Sequence, residues 1–159
     1  MILDERNEFA DATSVAAAAG TALIGDVIDL GTASRDIGGG QPVWFVIQTD
    51  TEIITGGVAG TVEFQLASDA QAAIATDGSA TVHLSTGSLV TDDAALNDAR
   101  LNAGGLIYSG VLPQGAVYER YLGVLAVTGT TTTTAGKINA FLTFDAPPTQ
   151  RAYPDAMPV

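Results

Sequence analysis

The sequence predicts an all-β fold, a jelly-roll-like sandwich of about eight strands. Apolar residues alternate with polar ones at a period of two far more often than at the 3.6-residue period of a helix. Glycine-containing breakers separate the strand-like segments, and the chain contains 18 glycines. Many short strands spaced by such turns are typical of sandwiches and jelly rolls.

Two segments show the alternation most clearly. In residues 61–66, TVEFQL, the valine, phenylalanine and leucine share one face and the polar residues share the other. Residues 81–85, TVHLS, repeat the pattern, which predicts that Val82 and Leu84 point inward and that His83 points outward. Both segments are therefore predicted to be half-buried strands.

A third alternating segment, INAFLTF, covers residues 138–144. Its even-numbered residues, from Ile138 to Phe144, lie on the face that is predicted to be buried, whereas Phe141 lies on the opposite face. A large aromatic side chain on the outer face of a sheet suggests an interface. Phe141 is therefore predicted to contact a partner.

Other segments complete the predicted sheets because they are rich in β-branched and aromatic residues. They are residues 22–30, 43–49, 106–111 and 121–127. Helical signals are weak: residues 69–75, with Asp69 as N-cap, and residues 92–101 are predicted to form short connecting helices. The five threonines at 130–134 lie between two predicted strands, so they are predicted to form the loop of a long hairpin.

The chain is predicted to be one domain, residues 1–159, with an extended arm at each end. The first arm covers residues 1 to about 20 and ends in an alanine run. The second covers residues 146–159, within a C-terminal stretch that holds four of the six prolines. Pro147 and Pro148 disfavour a continued sheet and favour an extended, polyproline-like segment. Such arms are predicted to lie on a partner.

Composition argues against several classes of function. The chain contains no cysteine, which rules out disulfides, a thiolate nucleophile and a cysteine-based zinc site. Its net charge is -12, so nucleic acid would be repelled. A run of about 20 apolar residues is absent, and a membrane partner is not expected. The first residues, MILDERNEF, lack the basic start and apolar core of a signal peptide, so no secretion signal is expected.

Catalytic chemistry has weak support in the sequence. His83 is the only histidine, so a Ser-His-Asp triad would have to use it, and a solitary surface histidine is the simpler interpretation. The acidic residues are scattered, which favours solvation and turn formation, with a calcium site as the alternative. The sequence therefore predicts a protein that is not an enzyme and that requires no cofactor.

The residues predicted to contact a partner come from the arms, the arginines and the aromatic residues. Residues 118–121, YERY, place opposite charges between two tyrosines at the start of a strand, which fits either a local ion pair or an interface. The predicted contact residues are Arg6, Arg35, Tyr118, Arg120, Phe141, Pro147, Pro148, Arg151 and Tyr153.

Four segments carry a resemblance through their order and spacing. They are MILD at residues 1–4, IDLG at 28–31, RDIG at 35–38 and YERYLGVLAVTGTTTTTAGKINAFLTFD at 118–145. Together they resemble the cement or decoration proteins of short-tailed phages, of which the Bordetella phage cement protein is the type. The resemblance implies a jelly-roll monomer, usually paired as a dimer, that binds across neighbouring major capsid subunits and carries no catalytic residue. Residues 50–116 do not contribute to it.

These observations predict a structural virion protein on the outer capsid surface, made in the host cytoplasm. Its expected partners are the major capsid protein and a second copy of itself, a homodimer being favoured over a trimer, and neither nucleic acid nor a membrane is expected. The alternative is a carbohydrate-binding sandwich, such as a phage surface lectin, although the only tryptophan, Trp44, lies in a run predicted to be core. A carboxylate hydrolase is the third hypothesis, for which the sequence offers no recognisable catalytic pair.

Overall fold

Nine β-strands form two antiparallel sheets in the computed structural model, which describes residues 5–31, 37, 40–56, 59–91 and 97–145. The strands are β1 (Glu8–Ser14), β2 (Gly20–Asp29), β3 (Trp44–Ile54), β4 (Gly60–Asp69), β5 (Thr81–Ser85), β6 (Leu89–Thr91), β7 (Leu106–Val111), β8 (Tyr121–Gly129) and β9 (Ala135–Thr143). The helices in these ranges are single 3₁₀ turns at Glu5–Asn7 and Ala99–Leu101. No helix among the described residues has the length and apolar character needed to cross a membrane.

The strand order is that of a jelly roll. One sheet has the order β1-β9-β3-β7, and the other has the order β2-β8-β4-β5. Strands β5 and β6 both pair with β4, at successive parts of its length, so together they occupy the position of one strand. Strands that follow one another in the chain thus alternate between the two sheets, except that β4, β5 and β6 all lie in the same sheet. The prediction of an all-β sandwich is confirmed.

The core lies between the sheets and is built from the inward positions of both. On β4, the residues Val62, Phe64 and Leu66 are fully buried, as the alternation predicted. They face residues of the other sheet such as Phe45, whose ring meets that of Phe9 edge-on with 5.8 Å between ring centroids. Such edge-to-face pairs add to the stability that the burial of aromatic area provides.

Strand β1 corrects the predicted extent of the first arm. Residues 8–14 pair with β9, and Phe9 and Val15 are buried in the core, so this stretch belongs to the sandwich. Gly25 of β2 has a φ of 64° and lies against the backbone of Phe9, where a β-carbon would overlap the Phe9 carbonyl. Glycine is required here because the edges of the two sheets approach each other closely.

A β-bulge corrects the prediction for β5. Leu84 pairs with Leu66, but the next residue of β4, Ala67, pairs with Val82, so His83 is an extra residue in the ladder. A bulge shifts the alternation by one position. Leu84 accordingly packs against the core, whereas Val82 is 47% exposed and points outward. His83 is half-buried and not a solvated surface residue.

The end of β9 corrects two further predictions. Phe141 was expected on an exposed face, but it is only 6% exposed, with Glu8 of β1 and Val46 of β3 at the paired positions on either side. Alternation along a single strand shows on which face a side chain lies, but not how much of that face the rest of the chain covers. Phe144 was expected to be buried, but it lies just beyond the last residue of β9 and is 58% exposed.

The connections differ from the predicted ones. Residues 70–80 form an irregular loop in place of a helix, and the Asp69 carboxylate accepts the backbone N–H groups of Gln71 and Ala75, each at 3.0 Å. Of the second predicted helix, residues 97–101 are described and contain one 3₁₀ turn that Asp98 caps. The threonine run crosses from β8 in one sheet to β9 in the other, so the predicted hairpin is wrong.

Candidate partner-binding groove

An apolar groove of about 360 Å³ opens at one end of the sandwich. One wall comes from the end of β2 and the residue after it, with Ile28, Asp29 and Leu30. The opposite wall comes from the other sheet, and the full lining is Asn7, Ile28, Asp29, Leu30, Ile37, Val43, Leu142, Thr143 and Phe144. The jelly-roll order creates the groove because it brings the end of β2 over the end of β9 and the start of β3.

The chemistry of the groove is that of a site for apolar side chains. Most of its lining is aliphatic, and Phe144 projects at the mouth with more than half of its surface in solvent. Val43 and Leu142 are buried and belong to the core cluster, so the floor of the groove is continuous with the packed interior. A concave apolar surface with a few polar groups at its rim is the usual form of a binding site.

An ion pair fixes the rim of the groove at Asp29. Arg120 binds both carboxylate oxygens, with Nε to Oδ1 at 2.9 Å and NH2 to Oδ2 at 2.8 Å. The same carboxylate accepts the Gly31 N–H at 2.9 Å, and the guanidinium lies 4.8 Å from the centroid of the Tyr121 ring. The hydrogen bonds from Arg120, followed by the one from Gly31, lower the pKa of Asp29 to about 2. Two-point pairing of this kind holds a definite geometry.

A second polar cluster stands next to this rim. The hydroxyl of Ser68, at the end of β4, lies 2.7 Å from Nε2 of His83 and accepts the backbone N–H of Glu119 at 3.1 Å. The ring of Tyr118 lies against the imidazole with 4.2 Å between centroids. Burial of the imidazole lowers the pKa of His83, and the nearby Glu119 carboxylate partly opposes this. Ser68 is fully buried, so its hydroxyl is not accessible to a substrate.

Two residues of the predicted contact set are corrected. Tyr118 is fully buried, because its ring packs in the core and its hydroxyl donates to the Pro113 carbonyl at 2.9 Å. Phe141 is buried within the sheet, as described above. Neither side chain therefore presents a surface to a partner.

The remaining predicted residues fall around the groove or outside the described part. Arg120 lies at the surface, but it pairs with Asp29 and not with its neighbour Glu119. Arg6 is exposed in the 3₁₀ turn, next to the groove residue Asn7. The other predicted contacts, which are Arg35, Pro147, Pro148, Arg151 and Tyr153, lie outside the described residues.

Sequence reasoning missed the groove itself. Its aliphatic residues other than Ile37 were assigned to strands, because alternation does not distinguish the middle of a strand from an end that opens to solvent. One signal was available for Phe144: Asp145 and the prolines at 147 and 148 follow it directly and mark the end of the strand. An apolar aromatic at such a boundary lies at the rim of a sheet.

Carboxylates also surround a second depression, lined by Glu5, Glu8, Asp11 and Asp26 among others. Burial, followed by the charges of Asp11 and Glu5, raises the pKa of Glu8. Within the described ranges, however, no three His, Cys, Asp or Glu side chains are grouped closely enough to hold a metal ion. This depression therefore gives no support to the alternative of a calcium site.

Comparison with known proteins adds one match. The family model described as Bbp16 matches residues 9–142, which run from β1 to the penultimate residue of β9 and include most of the groove. No curated protein matches the chain. Bbp16 is named after a protein of a Bordetella phage. Because the match covers most of the chain, this protein belongs to the Bbp16 family of bacteriophage proteins.

Proposed function

We propose that this protein is a structural component of a phage virion that binds the outside of the capsid and cements neighbouring major capsid protein subunits. The observation that carries the proposal is the apolar groove with Phe144 at its mouth, on the jelly-roll fold of a phage protein family. The proposal assigns no catalytic function and no cofactor. It places the protein on the virion after synthesis in the host cytoplasm.

The groove supplies the kind of surface that such binding requires. A capsid segment with apolar side chains would cover Phe144 and the aliphatic walls, and burial of apolar area provides the affinity. The ion pair of Asp29 and Arg120 keeps the rim in place before the partner arrives, which lowers the entropic cost of association. The net charge of -12 keeps the unassembled protein soluble.

Substitution of Phe144 tests the site. We expect Phe144→Ser to reduce the number of copies bound to purified undecorated capsids, measured by sedimentation and gel densitometry. The matched control is Leu106→Ser, since Leu106 is 41% exposed at the start of β7 and does not line the groove. If Phe144→Ser binds capsids in the same number of copies as the wild type, the groove is not the contact. If the wild type itself does not bind capsids, the proposed function is wrong.

The proposal includes self-association, with a homodimer favoured over a trimer. Phe141, which the sequence predicted to contact a partner, is buried and gives this proposal no support. Val82 and Val90 now support it, because each is about half exposed, at 47% and 48%, on the strands that form one edge of the second sheet. Edge strands offer unpaired backbone groups to another chain. Light scattering should give twice the monomer mass, and Val90→Lys should lower it.

A carbohydrate-binding sandwich is the second candidate. Trp44, at the first position of β3, is only partly buried, so the objection that it lies in the core is weaker than the sequence suggested. Its neighbours on the adjacent strands are Val111 and Thr143. Exposed aromatic rings form the usual platforms for sugars. A glycan array with reproducible binding that Trp44→Ala abolishes would favour this candidate over capsid binding.

A further inference from the structure

We propose that His83 is a pH-sensitive latch that positions the wall of the groove through Ser68, Glu119 and Arg120. Only its consequence for partner binding rests on the proposed function. The latch itself is a conformational device of the fold, built where the bulge of β5 turns His83 toward the end of β4.

The first link joins β5, β4 and the connection between β7 and β8. The Ser68 oxygen accepts the Glu119 N–H at 3.1 Å, and the hydroxyl can also donate its own proton to Nε2 of a neutral imidazole, 2.7 Å away. Ser68 is fully buried and cannot exchange either partner for water without movement. The neutral form of His83 therefore satisfies the hydroxyl.

The second link joins that connection to the groove. Glu119 is followed by Arg120, whose carbonyl accepts the Leu30 N–H at 2.8 Å and whose guanidinium binds Asp29. Asp29 and Leu30 are both wall residues of the groove. A displacement of Glu119 from Ser68 would move the backbone that holds this wall.

The groups that face the imidazole are few. Strand β4 contributes the neutral Ser68, and the β7–β8 connection contributes the Tyr118 ring and the Glu119 carboxylate. The Thr81 hydroxyl donates to that carboxylate at 2.7 Å, which holds it near β5. In the described part of the chain, Glu119 is the charged group that acts on His83, and it favours the protonated form.

Protonation reverses the hydrogen bond at Ser68. An imidazolium carries a proton on Nε2, so the Ser68 proton loses its acceptor inside the protein, where an unpaired donor is costly. The imidazolium is also poorly solvated, and the lowered pKa of His83 shows that burial outweighs the attraction of Glu119. Both costs are relieved when Glu119 and His83 move away from Ser68, because the hydroxyl and the imidazolium then become solvated; we call this arrangement the open state of the latch. At low pH, the population of the closed state relative to the open state falls about tenfold for each unit by which closure lowers the pKa of His83.

Nuclear magnetic resonance tests the latch directly, because the chain has a single histidine and its imidazole signals are unambiguous. In the full chain, titrated from pH 7.5 to 5.0, we expect an imidazole midpoint below the ordinary value of about 6.5. The amide signals of Glu119 and Leu30 should shift with that midpoint. His83→Gln, which keeps an acceptor near Nε2 but does not titrate, should leave both amides unchanged. Amides that do not follow the imidazole, or that shift equally in His83→Gln, would overturn the latch.

Capsid binding separates the latch from the proposed function. We expect the wild type to lose bound copies between pH 7.5 and 5.0 and His83→Gln to retain them. Equal losses in the two proteins would show that the latch does not control the groove. Absence of binding by both at pH 7.5 would overturn the capsid function, and the resonance titration would still decide whether the latch exists.

Discussion

The Ser68 hydroxyl and Nε2 of His83 lie 2.7 Å apart, in a hydrogen bond that the bulge of β5 makes possible. Without the extra residue, His83 would follow the alternation of its strand and point to solvent. The bond joins the ends of two strands to the connection that carries Arg120 and, through it, to the groove. The following predictions test this arrangement and the fold around it.

The stability of the protein should depend on His83 in mildly acidic solution. Because the pKa of His83 is lowered in the folded state, its contribution is fully present above the unfolded pKa of about 6.5. It is lost progressively as the pH falls from there toward the folded pKa. Urea midpoints measured from pH 7.5 to 5.0 should fall more steeply for the wild type than for His83→Gln. Parallel curves would contradict this, since both proteins share every carboxylate.

Removal of the Arg120 guanidinium should raise the pKa of Asp29. In Arg120→Gln, the pKa of Asp29 should rise from about 2 toward the ordinary 3.8, because the hydrogen bonds from Arg120 are the largest cause of its lowering. The lowered pKa stabilises the fold above the unfolded value, and this contribution disappears as the pH falls toward 2. Carboxyl carbon shifts would follow the titration. Arg100→Gln is the control, because Arg100 pairs with Asp98 and should leave Asp29 unaffected.

The same substitution at two valines should distinguish the two faces of the second sheet. Val62→Ala removes atoms from the core and should cost about 2 kcal/mol of unfolding free energy. Val82→Ala should cost less than about 0.5 kcal/mol, because the bulge turns this side chain outward. Chemical denaturation measures both. Equal costs would mean that Val82 points inward, as the simple alternation predicted.

Gly25 should tolerate no side chain. Gly25→Ala combines a φ of 64° with overlap on the Phe9 carbonyl, so it should cost more than about 1 kcal/mol. Gly115→Ala has a similar φ of 74° but open space around the added carbon, and it reports the backbone penalty alone. The difference between their melting temperatures measures the close approach of β1 and β2. Similar values would mean that the two strands can separate at little cost.

Salt should preserve or strengthen attachment to capsids. Long-range repulsion is expected if both surfaces are acidic, and the net charge of this chain is -12. Such repulsion is screened within about 8 to 10 Å, whereas apolar burial in the groove is not screened. Occupancy measured from roughly 20 to 300 mM salt should stay constant or rise, most visibly in the association rate. A steep decline would indicate an interface held by charge attraction.

The sequence by itself determined the fold class. The period of two in β4 and β9 follows from the strand geometry, which places successive side chains on opposite faces, and most inward residues were identified from it. The absence of cysteine and the acidic charge are composition and need no coordinates. Four segments between residues 1 and 145 carried the resemblance to phage cement proteins through their order and spacing in the sequence. The match to the Bbp16 family agrees with this resemblance.

Tertiary structure alone decided which outward positions are exposed and where a site lies. Phe141 is buried although it lies on the outward positions of β9, and Val82 is exposed because a bulge shifts its register. Strand β1 belongs to the sheet because it pairs with β9, and local patterns did not show this because β9 lies near the other end of the sequence. The groove joins Ile28 to Phe144 across two sheets. Alternation is a local property of one strand, whereas burial depends on strands that are distant in sequence and pair only in the folded chain.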